Sequence, residues 1–365
     1  MSKSNRKGFT LIELLVVVSI IGLLVGILLP ALGRAKKNAQ QVKDAAQIKE
    51  IQRGLVNYAT NNKEAYPIPS RIDRYNYTEN GGQAGTIATN TSLGDTQKNR
   101  TGAVLSILIY GGLITPEMTV TPAEADGGIR KDSDFRFGDI QGANGLPSQA
   151  LWDPGYVGAF CDGDNFIANP STDPNSPVDN PTSGVTQVGN NSYALPPLWA
   201  YRRSVNYWGL TYDANSPVLA NRGPAYQVPT TINTNTIYQL VQTPAAEGIS
   251  STTLLIHGDK KTWDGNLAWN DGHVSYENGA NAATPGNLRM DYVNNSVTLS
   301  VPDNIFMDET FESQNLQTAA SSRTNIYLRQ WPKGISNTST TGVAQIDDKA
   351  TWDGKTATPK WGASQ

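Results

Sequence analysis

The sequence has almost none of the side chains on which most metal centres and His- or Cys-based active sites depend. Its 365 residues include one cysteine and two histidines. No disulfide can therefore form within the chain, and little material is left for a metal or His-based catalytic site. Charged residues make up only 17%, with 29 Lys and Arg against 32 Asp and Glu. This slightly acidic balance argues against nucleic acid as the main partner.

The residues that nucleophilic catalysis needs are also missing as a set. The single thiol, Cys161, stands beside Asp162 and Asp164, whose charges oppose the formation of a reactive thiolate. No Gly-x-Ser-x-Gly elbow and no Gly-rich phosphate loop occurs. Glycine and proline, by contrast, are plentiful at 34 and 21 residues, which is typical of a loop-rich exported domain with short strands. The composition predicts that the chain is not an enzyme.

The N-terminus carries a long apolar segment with an unusual flank. Lys3, Arg6 and Lys7 precede the segment Phe9–Leu29, in which Glu13 is the only charge. A helix of this length spans roughly 31 Å, close to the bilayer core of about 30 Å. The basic flank is expected to stay in the cytoplasm, with the C-terminal region exported. A removable signal peptide has its small cleavage-site residue after the apolar run, whereas here Gly8 precedes it.

Glu13 is a carboxylate inside this apolar segment, where a charge is costly and marks a function or a partner. If the chain is cut between Gly8 and Phe9, the new α-amino group lies about one helical turn before Glu13. In a filament, Glu13 would then pair with the N-terminal ammonium of a neighbouring subunit, which compensates both charges. The alternative is that Glu13 sits at the membrane edge and reaches the interface on its own.

The segment Lys7-Gly8-Phe9-Thr10-Leu11-Ile12-Glu13-Leu14-Leu15-Val16-Val17 resembles the class III signal of type IV pilins and type II secretion pseudopilins. The resemblance implies cleavage after Gly8 by a prepilin peptidase, N-methylation of Phe9, and Glu13 as the assembly carboxylate. It also implies that Pro30 is the helix-kinking proline of that family. The partners implied are the peptidase, an inner-membrane assembly platform, and copies of itself or other pilins.

Beyond the apolar segment the pattern becomes amphipathic. The predicted apolar stripe consists of Ala35, Ala39, Val42, Ala46, Ile48, Ile51, Leu55 and Tyr58, and the polar face includes Asp44. We expect one helix from about Thr10 to Tyr58, with a kink or local melting near Gly26–Pro30, whose stripe packs on the chain's own sheet. The predicted fold is α+β and pilin-like, with this helix on an antiparallel sheet that carries long loop insertions.

The predicted division of the chain is a leader at 1–8, a helix at 9–60 and a β-rich head at 61–365. Within the helix, 9–29 would form the transmembrane segment and filament core, and 30–60 the amphipathic part. In the head, Thr101–Ile114 is predicted to hold a second helix. Predicted strands are Tyr201–Thr211, Thr252–Ile256 and Ser296–Val301.

A hairpin is predicted around Asp271-Gly272. As a two-residue type I′ loop, it would pair Trp269 with Val274 and Leu267 with Tyr276 on one face. This stretch resembles the C-terminal Asp-Gly motif of a family of large bacterial pilin-like proteins with the same N-terminal signal.

Two further patterns in the sequence are weaker. Asp259, Asp264 and Asp271 lie close in sequence and offer oxygens of the kind that bind Ca²⁺, although Asp is also common in turns. No other cofactor is expected. Asp259–Gly265 and Asp348–Gly354 agree at all but one position, which indicates either a shared turn with a packed tryptophan or a duplicated ligand-binding loop.

The function expected from these features is a structural subunit of a type IV pilus-like or type II secretion pseudopilus filament. Before assembly it would be a single-pass inner-membrane protein with an exported C-terminal domain, and afterwards a periplasmic or cell-surface filament. Two alternatives remain: a minor tip subunit or adhesin that binds a glycan or surface, and a membrane-anchored exported enzyme.

The processing prediction can be tested on the mature protein. Cleavage after Gly8 removes three positive charges and leaves a methylated Phe9 as the first residue, because the peptide bond cut lies before the apolar run. N-terminal sequencing and intact mass of the protein from membranes measure both changes. An intact Met1, or a cut after the apolar segment, would contradict the prediction.

Overall fold

The computed structural model describes residues 10–79, 83–87, 98–140, 142–156, 158, 189–196, 198, 200–227, 238–242, 248–258, 260–279, 281–286, 288–294, 297–306, 328, 330, 350–352 and 355–357. It shows one long N-terminal helix packed on an antiparallel sheet of short strands. This is the α+β, pilin-like architecture that the sequence predicts.

Helix α1 runs from Leu11 to Asn61 over 51 residues, about 77 Å at roughly 1.5 Å per residue. It is helical throughout, including at Pro30. The local melting that the sequence suggested near Gly26–Pro30 therefore does not occur, and a kink at Pro30 stays a prediction. A proline inside a helix removes one backbone hydrogen bond, and the turns on both sides of Pro30 remain helical despite that loss.

Only the C-terminal half of α1 packs on the head. Ile48, Ile51 and Leu55 are fully buried, and burying a side chain of this size stabilises the fold by about 1.5–3 kcal/mol. The predicted stripe is wrong in its first half: Ala35, Ala39, Val42 and Ala46 are all exposed. Along α1, Gln40 is the first described residue whose side chain forms a hydrogen bond with the head. The first residues of the predicted stripe therefore lie before the part of α1 that contacts the head.

The remaining helices are short. Helix α2 spans Pro69–Ile72 and α3 spans Thr101–Tyr110. The prediction of a second helix within Thr101–Ile114 is confirmed. Its end is set by Gly112, which has a φ of 67°. The amides of Gly112 and Leu113 return to carbonyls of the last turn in a Schellman arrangement.

The central sheet consists of four strands, β1 (Tyr193–Ala194), β2 (Pro217–Asn221), β5 (Gly265–Trp269) and β6 (Val274–Glu277). They are antiparallel and lie in the order β1-β2-β5-β6. Three separate two-stranded pairs join β3 (Tyr226–Gln227) to β4 (Gln239–Leu240), β7 (Arg289–Asn294) to β8 (Val297–Pro302), and β9 (Ala350–Trp352) to β10 (Lys355–Ala357). Strand β8 confirms the predicted strand at Ser296–Val301.

The central sheet is covered on both sides. On one face Ala268 and Leu219 pack with the α1 residues and with α3. On the other, Leu267 and Trp269 join a second cluster built around Trp263 and Phe306. Every residue of β5 is consequently buried. This placement makes β5 the strand on which both cores depend.

Two of the predicted strands are wrong. Ala200–Arg203 is a 3₁₀ turn followed by further turns, and Trp208 is fully buried with its indole N–H donating to the Pro67 carbonyl at 2.8 Å. Thr252–Leu255 is also a 3₁₀ turn, started by the Ser251 hydroxyl, which accepts from the Thr253 amide. In both segments the aromatic and β-branched residues are there because their side chains are buried, not because the backbone pairs in a sheet. Tertiary contacts override the local preference of these residues for strands.

The predicted hairpin exists, but its register is shifted by one residue. Ala268 pairs with Val274 and Leu267 with Ser275, so Trp269–Val274 and Leu267–Tyr276 are not pairs. Gly272 has a φ of 94°, while the Asp271 carboxylate accepts from the His273 amide at 3.0 Å. This arrangement is a three-residue loop with a glycine in the left-handed region, in which only one position takes positive φ. The shift moves each β6 side chain to the opposite face.

Buried ion pairs hold the irregular segments of the head. Lys98 Nζ lies 3.1 Å from Asp73 Oδ2 with neither side chain exposed, and the Arg222 guanidinium lies 2.7 Å from Glu124. The Asp73 carboxylate also accepts backbone amides from the turn that follows α2. Charged groups need partners when they are buried. These pairs therefore fix the positions of loop segments that are not part of any strand.

The described residues of the two repeated heptapeptides differ in conformation. In the first, Trp263 is buried, donates to the Arg222 carbonyl at 3.0 Å and packs edge-on against Phe306, and the next strand begins at Gly265. In the second, residues Ala350–Trp352 are themselves a strand. Asp348, Asp353 and Gly354 lie outside the described residues, so a shared turn stays a prediction.

Gly265 allows a test of this packing. A Cβ built on Gly265 would lie 2.4 Å from the Trp263 ring, so Gly265→Ala forces the indole to move. We expect a loss of about 1–3 kcal/mol in the free energy of unfolding, measured by chemical unfolding of the full chain in detergent. Gly138→Ala is the matched control, since nothing lies within 4 Å of its Cβ position. Equal effects of the two variants would contradict the packing role.

Candidate assembly helix and its attachment to the head

The N-terminal half of α1 is an apolar surface without cover in the isolated subunit. All its side chains from Leu11 to Leu29 are exposed; Leu15, for example, is 68% exposed. Within the described part of the chain, α1 alone is long and apolar enough to cross a membrane. A surface of this size needs lipid or other apolar helices around it. The proposed cleavage and methylation residues, Gly8 and Phe9, lie outside the described residues.

Glu13 has a local role that the sequence analysis missed. Its carboxylate accepts from the Thr10 amide at 2.9 Å and from the Thr10 hydroxyl at 2.8 Å, while the Glu13 amide donates back to that hydroxyl at 3.3 Å. This is a capping box, which satisfies amides at the start of α1. The Thr-x-x-Glu spacing at the start of an apolar run is the sequence pattern from which this capping box could have been predicted. Glu13 is therefore placed at the first turn, next to the site where the processed N-terminus would begin.

The helix is fixed to the head by a carboxylate predicted to lie on its polar face. Asp44 is fully buried. Its carboxylate accepts from Tyr193 on β1 at 2.9 Å and from Asn266 on β5 at 2.6 Å, and it lies 2.9 Å from His257 Nε2. Thr121 also bonds to it. We call these five residues the Asp44 cluster. The prediction that Asp44 lies on the polar, solvent-facing side of the helix is therefore wrong. Asp44 is buried because residues from distant parts of the chain supply its hydrogen bonds.

The electrostatics of the cluster favour an ionised Asp44. Burial by itself raises the pKa of this carboxyl, but hydrogen bonds from His257, Thr121 and Asn266 and the charge of His257 outweigh burial, so the pKa lies below its usual value. Burial and the nearby Asp44 charge raise the pKa of Tyr193 well above its usual value. Tyr193 therefore stays protonated and acts as a donor. The cluster joins α1 to both β1 and β5.

The two histidines do not share a site. The His257 side chain is buried against Asp44. His273 is half exposed, stacks on Trp269 with ring centroids 5.3 Å apart, and contacts Asp271 through Nδ1 at 2.6 Å. Each histidine therefore has a different carboxylate partner and a different environment. The structure gives both a packing role.

The calcium candidates are also separated. Asp264 precedes β5 and accepts from the Gly279 amide at 3.0 Å, whereas Asp271 follows β5 and contacts His273. A strand of this length, at about 3.3 Å per residue, holds the two carboxylates too far apart for one ion. Asp259 lies outside the described residues, as do Cys161, Asp162 and Asp164. Among the residues that were searched, no group of three or more potential metal ligands occurs.

Comparison with known proteins agrees with the geometry of α1. Residues 3–29 match the prokaryotic N-terminal methylation motif. Over 102 residues the chain is 37% identical to the type IV wide pilus major component PilA4 of Thermus thermophilus. The chain is type IV pilin-like and carries a class III prepilin signal. The aligned region covers 28% of this chain and 66% of PilA4, just under two thirds of that pilin. No solved structure matches this pilin-like chain.

Removal of the Asp44 carboxylate should loosen α1 from the head. Asp44→Ala leaves buried donors without a partner, and we expect it to lower the free energy of unfolding by about 3–5 kcal/mol. Because the folded pKa lies below the unfolded value of about 3.9, this stabilisation is present above that pH and is lost as the pH falls through the folded pKa. Chemical unfolding at pH 7 and at stepwise lower pH measures both effects.

The matched control for this prediction is Glu50→Gln on the same helix. The Glu50 side chain is half exposed and pairs with Arg53 in the described structure, so a change below about 1 kcal/mol is expected. If Asp44→Ala and Glu50→Gln had the same stability and the same pH profile, the cluster would not be what attaches the helix.

Proposed function

We propose that this chain is a structural subunit of a type IV pilus-like or type II secretion pseudopilus filament, assembled through the N-terminal half of α1. One observation carries the proposal: an apolar half-helix that is exposed along its whole length, lies within the N-terminal methylation motif matched at residues 3–29, and is continuous with a helix anchored in a folded head. Such a helix is suited to lipid before assembly and to neighbouring helices afterwards.

The proposed sequence of events starts in the inner membrane. Residues 9–29 span the bilayer with the head exported, a prepilin peptidase cuts after Gly8, and the new N-terminus at Phe9 is methylated. An assembly platform then extracts the subunit, and other α1 helices replace the lipid. In this scheme residues 1–8 are the leader and 61–365 the head, and Pro30 is the position where α1 bends to fit its neighbours.

Glu13 is proposed to act in both states. In the isolated subunit its carboxylate caps α1 through Thr10. In the filament the same carboxylate would face the N-terminal ammonium of a neighbour, in an environment without water where a charge needs a partner. A carboxylate at the first turn lies at the right level of the helix for this contact.

The proposal requires neither a catalytic site nor a cofactor. Among the described residues, buried polar groups such as the Asp44 cluster and the Arg222–Glu124 pair serve attachment and loop positioning. The head is then the part displayed on the filament surface.

Two substitutions at Glu13 separate its two roles. Glu13→Gln keeps an oxygen that can cap Thr10 but removes the charge, while Glu13→Ala removes both. We expect both variants to abolish filaments, seen as at least a tenfold loss of the subunit in sheared surface fractions. Ser19→Ala, which alters only an intrahelical bond to Leu15, is the control. Filaments formed by Glu13→Gln would show that capping, and not charge pairing, is what assembly needs.

The abundance of the chain in those fractions tests its structural role. A main structural subunit is the predominant protein of the filament, whereas a tip adhesin is scarce there. Trace amounts in intact wild-type filaments would contradict the proposal and support the tip role.

A further inference from the structure

Three positive side chains lie close together on α1 between its apolar half and the head. Arg34, Lys36 and Lys37 are all exposed, and we call them the basic collar. They follow the apolar segment directly and precede Gln40, whose side chain donates to the Pro122 carbonyl at 2.8 Å. The collar therefore occupies the short stretch that belongs neither to the membrane segment nor to the packed part of the helix.

The charges of the collar have no local compensation. The sequence contains no Asp or Glu between Glu13 and Asp44. Asp44 is buried and bonded within its own cluster, so it is not available to the collar. In the part of the chain that the structure describes, no carboxylate forms an ion pair with any collar residue. Further along the helix Arg53, by contrast, pairs with Glu50 at 2.8 Å.

The collar lies at the outer edge of a layer of lipid headgroups. If residues 9–29 cross the hydrocarbon core, the collar Cα atoms lie about 8–12 Å beyond it at roughly 1.5 Å per residue. The headgroup region on each side of the core is about 5–8 Å thick. Long Arg and Lys side chains can direct their charged ends back into this layer.

The collar side chains cover a wide arc of α1. At about 100° per residue, Arg34 and Lys36 point about 160° apart and Lys37 points between them, so the three charges occupy a little less than half of the helix circumference. A headgroup layer surrounds a membrane helix, so every direction within this arc meets lipid phosphates.

We propose that the basic collar binds the phosphates of anionic phospholipids in the leaflet next to the head. This inference rests on the membrane-inserted state of the proposed function. Processing after Gly8 removes Lys3, Arg6 and Lys7, so the collar is then the basic cluster that flanks the span. Its contacts hold the stored subunit at a defined depth and are exchanged for other contacts on extraction.

The test uses the mature chain, processed after Gly8 so that Lys3, Arg6 and Lys7 are absent, in nanodiscs made of phosphatidylcholine with a minor share of phosphatidylglycerol. Native mass spectrometry measures which lipids remain bound when the protein is released. We expect phosphatidylglycerol to be enriched about fivefold or more over its bulk share, since about 1 kcal/mol per basic residue at a membrane surface corresponds to a factor of about five. Raising the salt concentration should reduce the enrichment.

Two charge-matched variants identify the residues. Arg34→Gln/Lys36→Gln/Lys37→Gln should bring the bound lipids to the bulk composition. Lys43→Gln/Lys49→Gln/Arg53→Gln removes the same charge from exposed positions of α1 beyond the collar and should keep the enrichment. All these changes lie on an exposed helix surface, so folding should be retained; circular dichroism checks this.

Each other outcome contradicts the inference in a recognisable way. Wild-type protein that inserts, shown by flotation with the lipid, but binds lipids at bulk composition would overturn the collar as a lipid site and leave the filament role intact. Enrichment retained by the collar variant together with a loss of filaments would identify a second copy of the chain as the partner. Failure of the wild type to insert would contradict the membrane-stored state itself.

Discussion

The arrangement of helix and head depends on one buried carboxylate. Asp44 leaves water completely and is held by groups from β1, from β5 and from the segment around His257. A buried charge is costly without partners, so the helix can occupy few other positions relative to the sheet. The apolar contacts of Ile48 and Leu55 supply much of the packing energy, but apolar contacts are less directional. The Asp44 cluster adds the directional component.

This attachment divides α1 into two parts with opposite requirements. The C-terminal half is packed and belongs to the head. The N-terminal half is exposed and apolar, which no soluble subunit tolerates alone. Because α1 is continuous through Pro30, a lipid bilayer or a neighbouring helix that covers its N-terminal half is connected to the head through this one helix. The basic collar marks the boundary between the two parts.

The head contains few strands, so most of its fold depends on contacts between irregular segments. Its central sheet has four strands, and long irregular segments surround them. Buried pairs such as Lys98 with Asp73 and Arg222 with Glu124 place those segments. Trp263 packs above Gly265 and closes the second core. Polar and aromatic anchors thus replace regular pairing, in agreement with the high glycine and proline content.

The sequence by itself determined the features that depend on local chemistry. A long apolar run with one carboxylate, a small residue before it and an amphipathic continuation predict the pilin-like helix, since helical periodicity and membrane length are local properties. The capping role of Glu13 was also readable from its spacing to Thr10. The second helix and β8 belong to the same group.

Only the tertiary structure decided which polar residue enters the core and which strands pair. Asp44 is buried because Tyr193, His257 and Asn266 meet there, and those residues are far apart in the chain. The hairpin at Asp271-Gly272 has its register from the turn that Gly272 adopts and from the burial of both faces of β5. Tyr201–Thr211 has strand-like composition but turns, because Trp208 is needed in the core. These outcomes depend on long-range contacts, which composition and periodicity do not encode.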